Sequence, residues 1–381
     1  MASSHEVLAS PHGVPAGPGQ REHWADNLRV LVIAVVVVWH TSLGYFGTGT
    51  TPYYYMDRTT SKVWTAALAP ASVISIFALG PLFLVAGWFS ARSLAHKGAG
   101  AFARTRLLRL GAPLIVAIFL INPLADYLGH LRQSHHPSLA QWLSFDYAAG
   151  SLWFVAALLA FSLAYALLRS VRPAPVARRW SGAQAMVAAA VLITVTAFVV
   201  WLRWPLGDSH TFLHLTWDDW PQGAGLFALG VWAGEAGSWE ELTAWAPRLG
   251  WTALAATAVF AAVGVYEKMH GHLASALHGT GWVAMGGAVL YGIISVAFTV
   301  WFTALIRTRW SGDGPLRARA GRASYAAYIL NDLVITAIMV LFASLALAPE
   351  LTFLVVAVVA VPVCFLAGYA ATRVPGISKV L

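Results

Sequence analysis

The chain has 381 residues, of which 59% are hydrophobic and only 10% are charged, and its formal net charge is +8. About a quarter of the residues of a soluble domain are charged, so this composition excludes that class and predicts a multi-pass membrane protein. The positive charge does not indicate a nucleic-acid partner, because the lysines and arginines lie between apolar runs, where membrane topology accounts for them. The single cysteine, Cys364, excludes an intrachain disulfide.

Residues 1–27 begin with a stretch rich in glycine, proline and serine and contain no apolar run, which predicts a disordered cytoplasmic tail and not a cleaved signal peptide. Ten apolar segments follow, each able to cross a hydrocarbon core of about 30 Å. The sixth is short and rich in glycine. The sequence therefore predicts an all-α transmembrane bundle of about ten helices over residues 28–372, followed by a short cytoplasmic tail at 373–381. The segments are 28–46, 64–89, 110–128, 152–168, 183–202, 221–236, 249–266, 282–306, 323–345 and 351–372.

Lysine and arginine are unequally divided between the two sides of this topology. Nineteen of the 24 lie on the side that would hold both termini, and the other five lie on the opposite side. Because cytoplasmic loops carry the excess of basic residues, both termini are predicted to be cytoplasmic. We expect a multi-pass protein of the cell (inner) membrane.

The first apolar segment carries the best candidate for chemistry. Asp26 and Arg29 stand at its threshold, and His40 lies in its interior. Eleven residues turn a helix by about 1100°, so Arg29 and His40 share one face about 16 Å apart and are expected to face a common cavity. Ionisable residues at membrane depth are costly and usually functional, and histidine can accept a proton near neutral pH. His40, with Asp26, is therefore the candidate catalytic pair, although a buried histidine can also simply join two helices by a hydrogen bond.

The third segment begins beside a second candidate site. Arg106 and Arg109 are one helical turn apart, and planar guanidinium groups bind phosphate well, so the pair could anchor a phosphorylated donor. Topology alone also places arginines there. The opposite loops hold histidines and aspartates without a recognisable metal-ligand spacing, so we predict exposed loop residues and no metal. These are His130, His135, His136, His210, His214, His270, His272, His278, Asp126, Asp146, Asp208, Asp218 and Asp219.

An ordered set of motifs spans most of the chain. It comprises Asp26-Asn-Leu-Arg29 with His40, Pro81-Leu-Phe-Leu-Val-Ala-Gly87-Trp-Phe, Arg106-x-x-Arg109 with Pro113, Ser151-Leu-Trp153-Phe154, and Ser324-Tyr325-Ala-Ala-Tyr328-Ile-Leu330. With these motifs the chain resembles the acyltransferase 3 family of integral membrane acyltransferases, in particular the branch of glucan biosynthesis protein C.

The resemblance implies transfer of an acyl group, of the acetyl or succinyl class, from cytoplasmic acyl-CoA to a hydroxyl of an extracytoplasmic glycan or another surface acceptor. Acyl-CoA would be a co-substrate, with no permanently bound cofactor. His40 would activate the acceptor hydroxyl, and Arg29, Arg106 and Arg109 would hold the donor. The residues expected to contact substrate or the reaction's oxyanion are Trp153, Ser324, Tyr328 and Asn331.

Two positions depart from the family pattern. The chain has Ala86-Gly87-Trp88 where relatives usually carry Ser-Gly-Phe, and Asn331 where they usually carry histidine. Asparagine forms hydrogen bonds but cannot shuttle a proton, and the adjacent Asp332 is the candidate to replace that function. Two other readings stay open: a proton-coupled transporter or flippase for a lipid or sugar that uses His40, and a noncatalytic membrane partner. The sequence does not indicate an oligomeric state.

Overall fold

The computed structural model describes residues 22–45, 61, 64, 75–130, 138, 148–172, 180–207, 213, 215–273 and 279–376. These residues form helices joined by turns and contain no strand. The helices are α1 (His23–Leu43), α2 (Gly80–Lys97), α3 (Ala99–His130), α4 (Gly150–Val171), α5 (Gly182–Trp201), α6 (Trp220–Ala236), α7 (Trp239–Thr243), α8 (Ala246–Met269), α9 (Trp282–Arg309), α10 (Pro315–Phe342) and α11 (Pro349–Ala371). The predicted all-α, multi-pass bundle is confirmed.

Each of the ten predicted spans overlaps one of these helices, and residues 65–74 of the second predicted span lie outside the described residues. In the part of the chain that the structure describes, nine helices are long and apolar enough to cross a membrane. The sixth predicted span falls on α6, which has 17 residues and would cover about 25 Å. The predicted N-terminal tail lies outside the described residues up to residue 21. Residues 23–27 were predicted to belong to the tail, but they form the first residues of α1. The Trp24 ring packs against Trp88 and Trp239 and so holds this end of the helix in the bundle.

Glycine explains how the short helix α6 packs against α2. A Cβ atom on Gly87 would lie 2.1 Å from the carbonyl oxygen of Phe227, and one on Gly230 would lie 2.0 Å from that of Leu84. The two backbones therefore touch directly, as is common where small residues line the contact between membrane helices. Glycine lowers the hydropathy of the sixth segment. It also allows the close backbone contact that holds α6 in the bundle.

Helix α3 continues through Pro113 because α10 satisfies the carbonyl group that proline leaves unpaired. Proline has no N–H, so the carbonyl of Arg109, four residues earlier, loses its helical donor. The Tyr325 hydroxyl of α10 donates to that oxygen at 2.9 Å. Turns of π-helix at Leu107–Gly111 and Ala117–Ile121 flank the proline, and such turns occur often at functional sites.

Helix α1 packs against α10 and α11 in the bundle, whereas α8 packs mainly on α9. Trp251, Leu254 and Val265 of α8 are exposed, as expected for side chains that face lipid. The end of α1, the start of α4 and the middle of α10 meet beside the space between α8 and α9. This meeting point holds the candidate site.

Candidate functional site

His40 lies in the last turn of α1, and its side chain lines a cavity of about 1190 Å³. The cavity is bounded by α1, the residues before α2, the start of α4, the residues before α6, and the helices α8, α9 and α10. Most of its wall is apolar. The polar groups of the wall include those of His40, Ser151, Asp218, Asp219 and Tyr328.

Asn331 of α10 fixes the tautomer of His40. The amide nitrogen of Asn331 donates to the Ser151 hydroxyl at 3.2 Å and to the backbone carbonyl of Tyr328. Its amide oxygen therefore accepts from His40 Nδ1, at 2.7 Å. A neutral imidazole carries one proton, so a proton on Nδ1 leaves Nε2 with a lone pair. The network presents His40 as a base.

The carboxylate of Asp332 points toward the same network of His40, Asn331 and Ser151. One oxygen lies 3.6 Å from His40 Nδ1. The other accepts from the Ser151 hydroxyl at 2.7 Å and from the Ser151 backbone N–H at 3.3 Å, so Asp332 caps the N-terminus of α4. The positive end of a helix favours a carboxylate. Asp332 is thus placed to stabilise the imidazolium that forms when His40 takes a proton.

The first residues of α4 position Ser151 for its contacts with Asn331 and Asp332. Gly150 has φ +54°, a left-handed conformation that glycine adopts without steric cost. The buried amide of Asn122 donates to the carbonyls of Ala148 and Ala149 at 2.7 and 3.1 Å and holds the preceding segment. Sequence reasoning quoted Ser151 within a family motif but gave it no role; its position at a helix N-terminus was the available signal.

Two of the predicted substrate or oxyanion residues share the cavity with His40. Trp153 follows Ser151 in the first turns of α4 and lines the wall. Tyr328 lines it as well, although its hydroxyl donates to the backbone carbonyl of Ser151 and is engaged in this arrangement. Trp153 is therefore the better placed of the two to offer a donor to substrate, and Tyr328 holds the start of α4 against α10.

Two other predicted site residues lie away from His40. The Ser324 hydroxyl is buried and donates to the carbonyl of Gly321 at 2.9 Å, two helical turns before the asparagine of the network. Asp26 accepts from Arg29 at 2.8 Å and stands about 21 Å along α1 from His40, by helical rise. Asp26 therefore positions a guanidinium group, and the structure does not bring it to the candidate base.

The three predicted arginines lie on α1 and α3, outside the wall of this cavity. The guanidinium of Arg106 donates to the buried Ser90 hydroxyl at 2.9 Å and lies 5.1 Å from the centre of the Phe102 ring. The charges of Arg109 and Arg29 both act on Arg106. Three neighbouring cations repel one another, and a polyanionic ligand would relieve that repulsion.

The cavity at His40 does not extend to these arginines. On α1 its lining residues lie between Val35 and Leu43. Its wall does not include Arg29, Arg106 or Arg109. The expectation that Arg29 and His40 face one common cavity is therefore wrong for this cavity, because the intervening turns of α1 pack against α10. The two sites are joined instead along α10, where Tyr325 meets the arginine end and Tyr328, one turn later, meets the cavity.

Two adjacent aspartates before α6 form part of the cavity wall, although sequence reasoning placed them among exposed loop residues. Asp218 accepts from the backbone N–H of Gly207 at 2.7 Å, and Asp219 accepts from the Tyr291 hydroxyl at 3.3 Å. Burial, and then the neighbouring charge of Asp218, raise the pKa of Asp219 well above its usual value. Both aspartates add hydrogen-bonding groups to a wall that is otherwise mostly apolar.

The remaining loop histidines show no comparable site. His130 Nδ1 bonds to the backbone carbonyl of Asp126 at 2.8 Å, and His270 and His272 are exposed. Among the residues that the structure describes, no group of three or more His, Cys, Asp or Glu could hold a metal ion. The other acidic and histidine residues predicted for these loops lie outside the described residues: His135, His136, His210, His214, His278, Asp146 and Asp208.

Comparison with known proteins gives one match. The acyltransferase 3 family model, whose description is "Acyltransferase domain", matches residues 22–369. No curated protein and no solved structure matches the chain. The matched range covers every helix from α1 to nearly the end of α11, and includes both the cavity at His40 and the arginine cluster.

Proposed function

Because the chain belongs to the acyltransferase 3 family, and is therefore a membrane acyltransferase, we propose that it transfers an acetyl or succinyl group from cytoplasmic acyl-CoA to a hydroxyl. The acceptor belongs to an extracytoplasmic glycan or another surface molecule. The observation that carries the proposal is the hydrogen bond between His40 Nδ1 and Asn331 Oδ1 at 2.7 Å, which places the ring proton on Nδ1 and so gives Nε2 the lone pair that can take a proton, on a residue that lines a large cavity.

Three events make up the reaction at His40. The acceptor hydroxyl gives its proton to Nε2 while its oxygen bonds to the thioester carbonyl carbon. Asp332 and Asn331 hold the resulting imidazolium in position from the Nδ1 side. The tetrahedral intermediate then expels the thiolate, which takes the proton from Nε2, so that an ester and free CoA are formed and His40 is again neutral. Trp153, which lines the cavity, would donate to the oxyanion.

The donor reaches this base from the arginine end. Arg29, Arg106 and Arg109 bind the phosphates of CoA, and Asp26 holds the Arg29 side chain in place. Arg29 and His40 are about 16 Å apart along α1, a span that an extended pantetheine arm can bridge. The arm would follow α10 past Tyr325 and Tyr328, which join the two sites.

Purified protein tests the proposal through the histidine. We expect His40→Ala to lower the rate of acyl transfer by about 10²- to 10⁴-fold, because a general base contributes that much, while the KM for acyl-CoA stays unchanged. His270→Ala is the matched control, since its side chain is exposed near the end of α8 and outside the cavity wall. Free CoA and acylated acceptor are measured together by mass spectrometry.

The same experiment separates acyl transfer from the transporter reading. Transport moves a substrate without a covalent product, whereas the enzyme must release one CoA for each acylated acceptor. A folded His40→Ala protein with normal turnover would remove His40 from its proposed role. Substrate movement by wild-type protein without release of CoA would favour the transporter.

A further inference from the structure

We propose that the hydroxyl acceptor is an amphiphile, with its hydroxylated headgroup at His40 and a hydrocarbon chain that lies between α8 and α9. The inference rests on the acyl transfer proposed above and specifies the class of acceptor. It starts from the size of the cavity. About 1190 Å³ exceeds the roughly 300–1,000 Å³ of an ordinary small-molecule pocket and is far more than an acetyl or succinyl group fills.

Two facing helices supply the apolar wall of this space. The residues involved recur three and four positions apart on each helix, so each set forms one helical face. On α8 they are Phe260, Val263, Gly264 and Glu267; on α9 they are Val283, Gly286, Gly287 and Leu290. The wall also includes Ala262 and Tyr266 of α8 and Trp282 and Val289 of α9. Apart from Glu267, Tyr266 and Trp282, the wall residues of these two helices offer no side-chain hydrogen bond, which suits a hydrocarbon chain and not a free sugar.

The glycines on these faces leave room for a ligand and do not serve helix packing. A Cβ atom added to Gly264, Gly286 or Gly287 would meet no other atom within 4 Å. By contrast, a Cβ on Gly87 or Gly230, where α2 and α6 touch, would come within about 2 Å of a carbonyl oxygen. The open space in front of the α8 and α9 glycines is the cavity itself.

The rim of the cavity lies on helices that span the membrane. Val35 of α1, Val263 of α8, and Trp282 and Val289 of α9 all line the cavity, and all are exposed. Exposed apolar side chains on spanning helices face lipid, so the cavity opens toward the bilayer. An acceptor that is anchored in the membrane can therefore enter sideways with its chain already at the correct depth.

The cavity wall also offers polar groups to a headgroup. Besides His40, it carries the hydroxyl of Ser151 and the carboxyl groups of Asp218 and Asp219. Carboxyl and hydroxyl oxygens accept hydrogen bonds from the hydroxyls of a sugar or polyol. The cavity thus offers both hydrogen-bonding groups for a hydroxylated headgroup and an apolar surface for a hydrocarbon chain.

Photo-crosslinking tests where the chain lies without requiring turnover. The probe is dodecyl glucoside with a diazirine near the end of its chain, added in trace amounts to the protein in liposomes. We expect labelled peptides to concentrate in residues 260–267 and 283–290. The label there should fall at least about fivefold in Gly287→Phe, whose ring would fill the cavity, and remain in Gly100→Phe, a control on an open glycine of α3 outside the cavity wall. Even labelling of all lipid-facing helices, or labelling that Gly287→Phe does not change, would overturn the inference.

Turnover distinguishes failure of this inference from failure of the acyl transfer. With acetyl-CoA or succinyl-CoA as donor, dodecyl glucoside should react more than about tenfold faster than methyl glucoside, and Gly287→Phe should abolish the preference. Equal rates would overturn the amphiphile and leave acyl transfer intact. Labelling of α8 and α9 without any turnover would support the chain site while the proposed reaction fails. If a diazirine-bearing long-chain acyl-CoA labels these helices and the alkyl glucoside does not, the cavity belongs to the donor and the inference falls.

Discussion

Asn331 shows how a single residue can replace the histidine expected at its position. In the proposed reaction His40 carries out the proton transfer, and the asparagine orients that ring through a 2.7 Å hydrogen bond. The Asn331 amide nitrogen donates to the Ser151 hydroxyl and to the Tyr328 carbonyl, so the amide cannot rotate by 180° without breaking two hydrogen bonds. The departure from the family pattern is therefore compatible with a working base, because Asp332 supplies the charge that an asparagine lacks.

Substitution of Asn331 tests this orientation. Asn331→Leu has a similar volume but removes the acceptor for His40 Nδ1 and the donor to Ser151. A lost hydrogen bond of this kind costs about 1–3 kcal/mol, so we expect kcat to fall about 10- to 100-fold. The KM for acyl-CoA should not change, because the three arginines proposed to bind the donor lie outside the wall of the cavity at His40. Asn331→Asp keeps the acceptor oxygen and should retain more activity than the leucine variant.

A lower kcat with an unchanged KM for acyl-CoA distinguishes a loss of His40 orientation from a loss of folding. Thermal unfolding of both variants shows whether the bundle survives the substitution. If Asn331→Leu is folded and turns over at the wild-type rate, His40 does not depend on this amide. If KM for acyl-CoA rises together with the loss of kcat, the residue has a wider structural role than the one proposed here.

At the scale of the helix, close backbone contact between α2 and α6 makes a testable claim about glycine. Replacing glycine by alanine in a helix normally stabilises it by about 1 kcal/mol. At Gly230 the added methyl group would overlap the carbonyl oxygen of Leu84, so we expect Gly230→Ala to destabilise the protein despite that gain. Gly100→Ala in α3 meets no atom and should be neutral or stabilising.

Unfolding in detergent, followed by temperature, measures both variants in the same experiment. The opposite signs at the two positions are the diagnostic result. A Gly230→Ala protein at least as stable as the wild type would mean that α2 and α6 do not approach as closely as the structure shows, and α6 would lose its explanation as a short helix held by backbone contact.

Across the whole molecule, the sequence predicts the helices well because long apolar runs need no knowledge of their partners. All ten predicted segments correspond to helices, and the first begins only five residues earlier than expected. The site was predicted as far as family motifs reach: His40, Trp153, Tyr328 and Asn331 meet in or beside one cavity. Asp218 and Asp219 were missed because only the packing of α6 against its neighbours brings their loop into the wall.

The two ends of the bundle could not be related from sequence either. A shared helical face suggested one cavity for Arg29 and His40, but helical periodicity gives the direction of a side chain and not what packs against it. In the structure, α10 occupies the turns between them and provides the link through Tyr325 and Tyr328. Arg29 and the cavity residue His40 are consequently in separate surroundings, about 16 Å apart along α1.

This separation makes the reaction directional if the termini are cytoplasmic, as the distribution of basic residues predicts. CoA bound at the arginine end would stay on the inner side, and only the acyl group would pass to an acceptor that reaches His40 from the other side. In sealed vesicles of uniform orientation, with an alkyl glucoside on the outside, product should form only when acyl-CoA is enclosed inside, and free CoA should appear inside. Acyl-CoA supplied outside to intact vesicles should give no product until detergent opens them, which is the control for active protein. Product formed from external acyl-CoA with intact vesicles would place donor and acceptor on the same side, and the two-ended arrangement along α1 would then need another explanation.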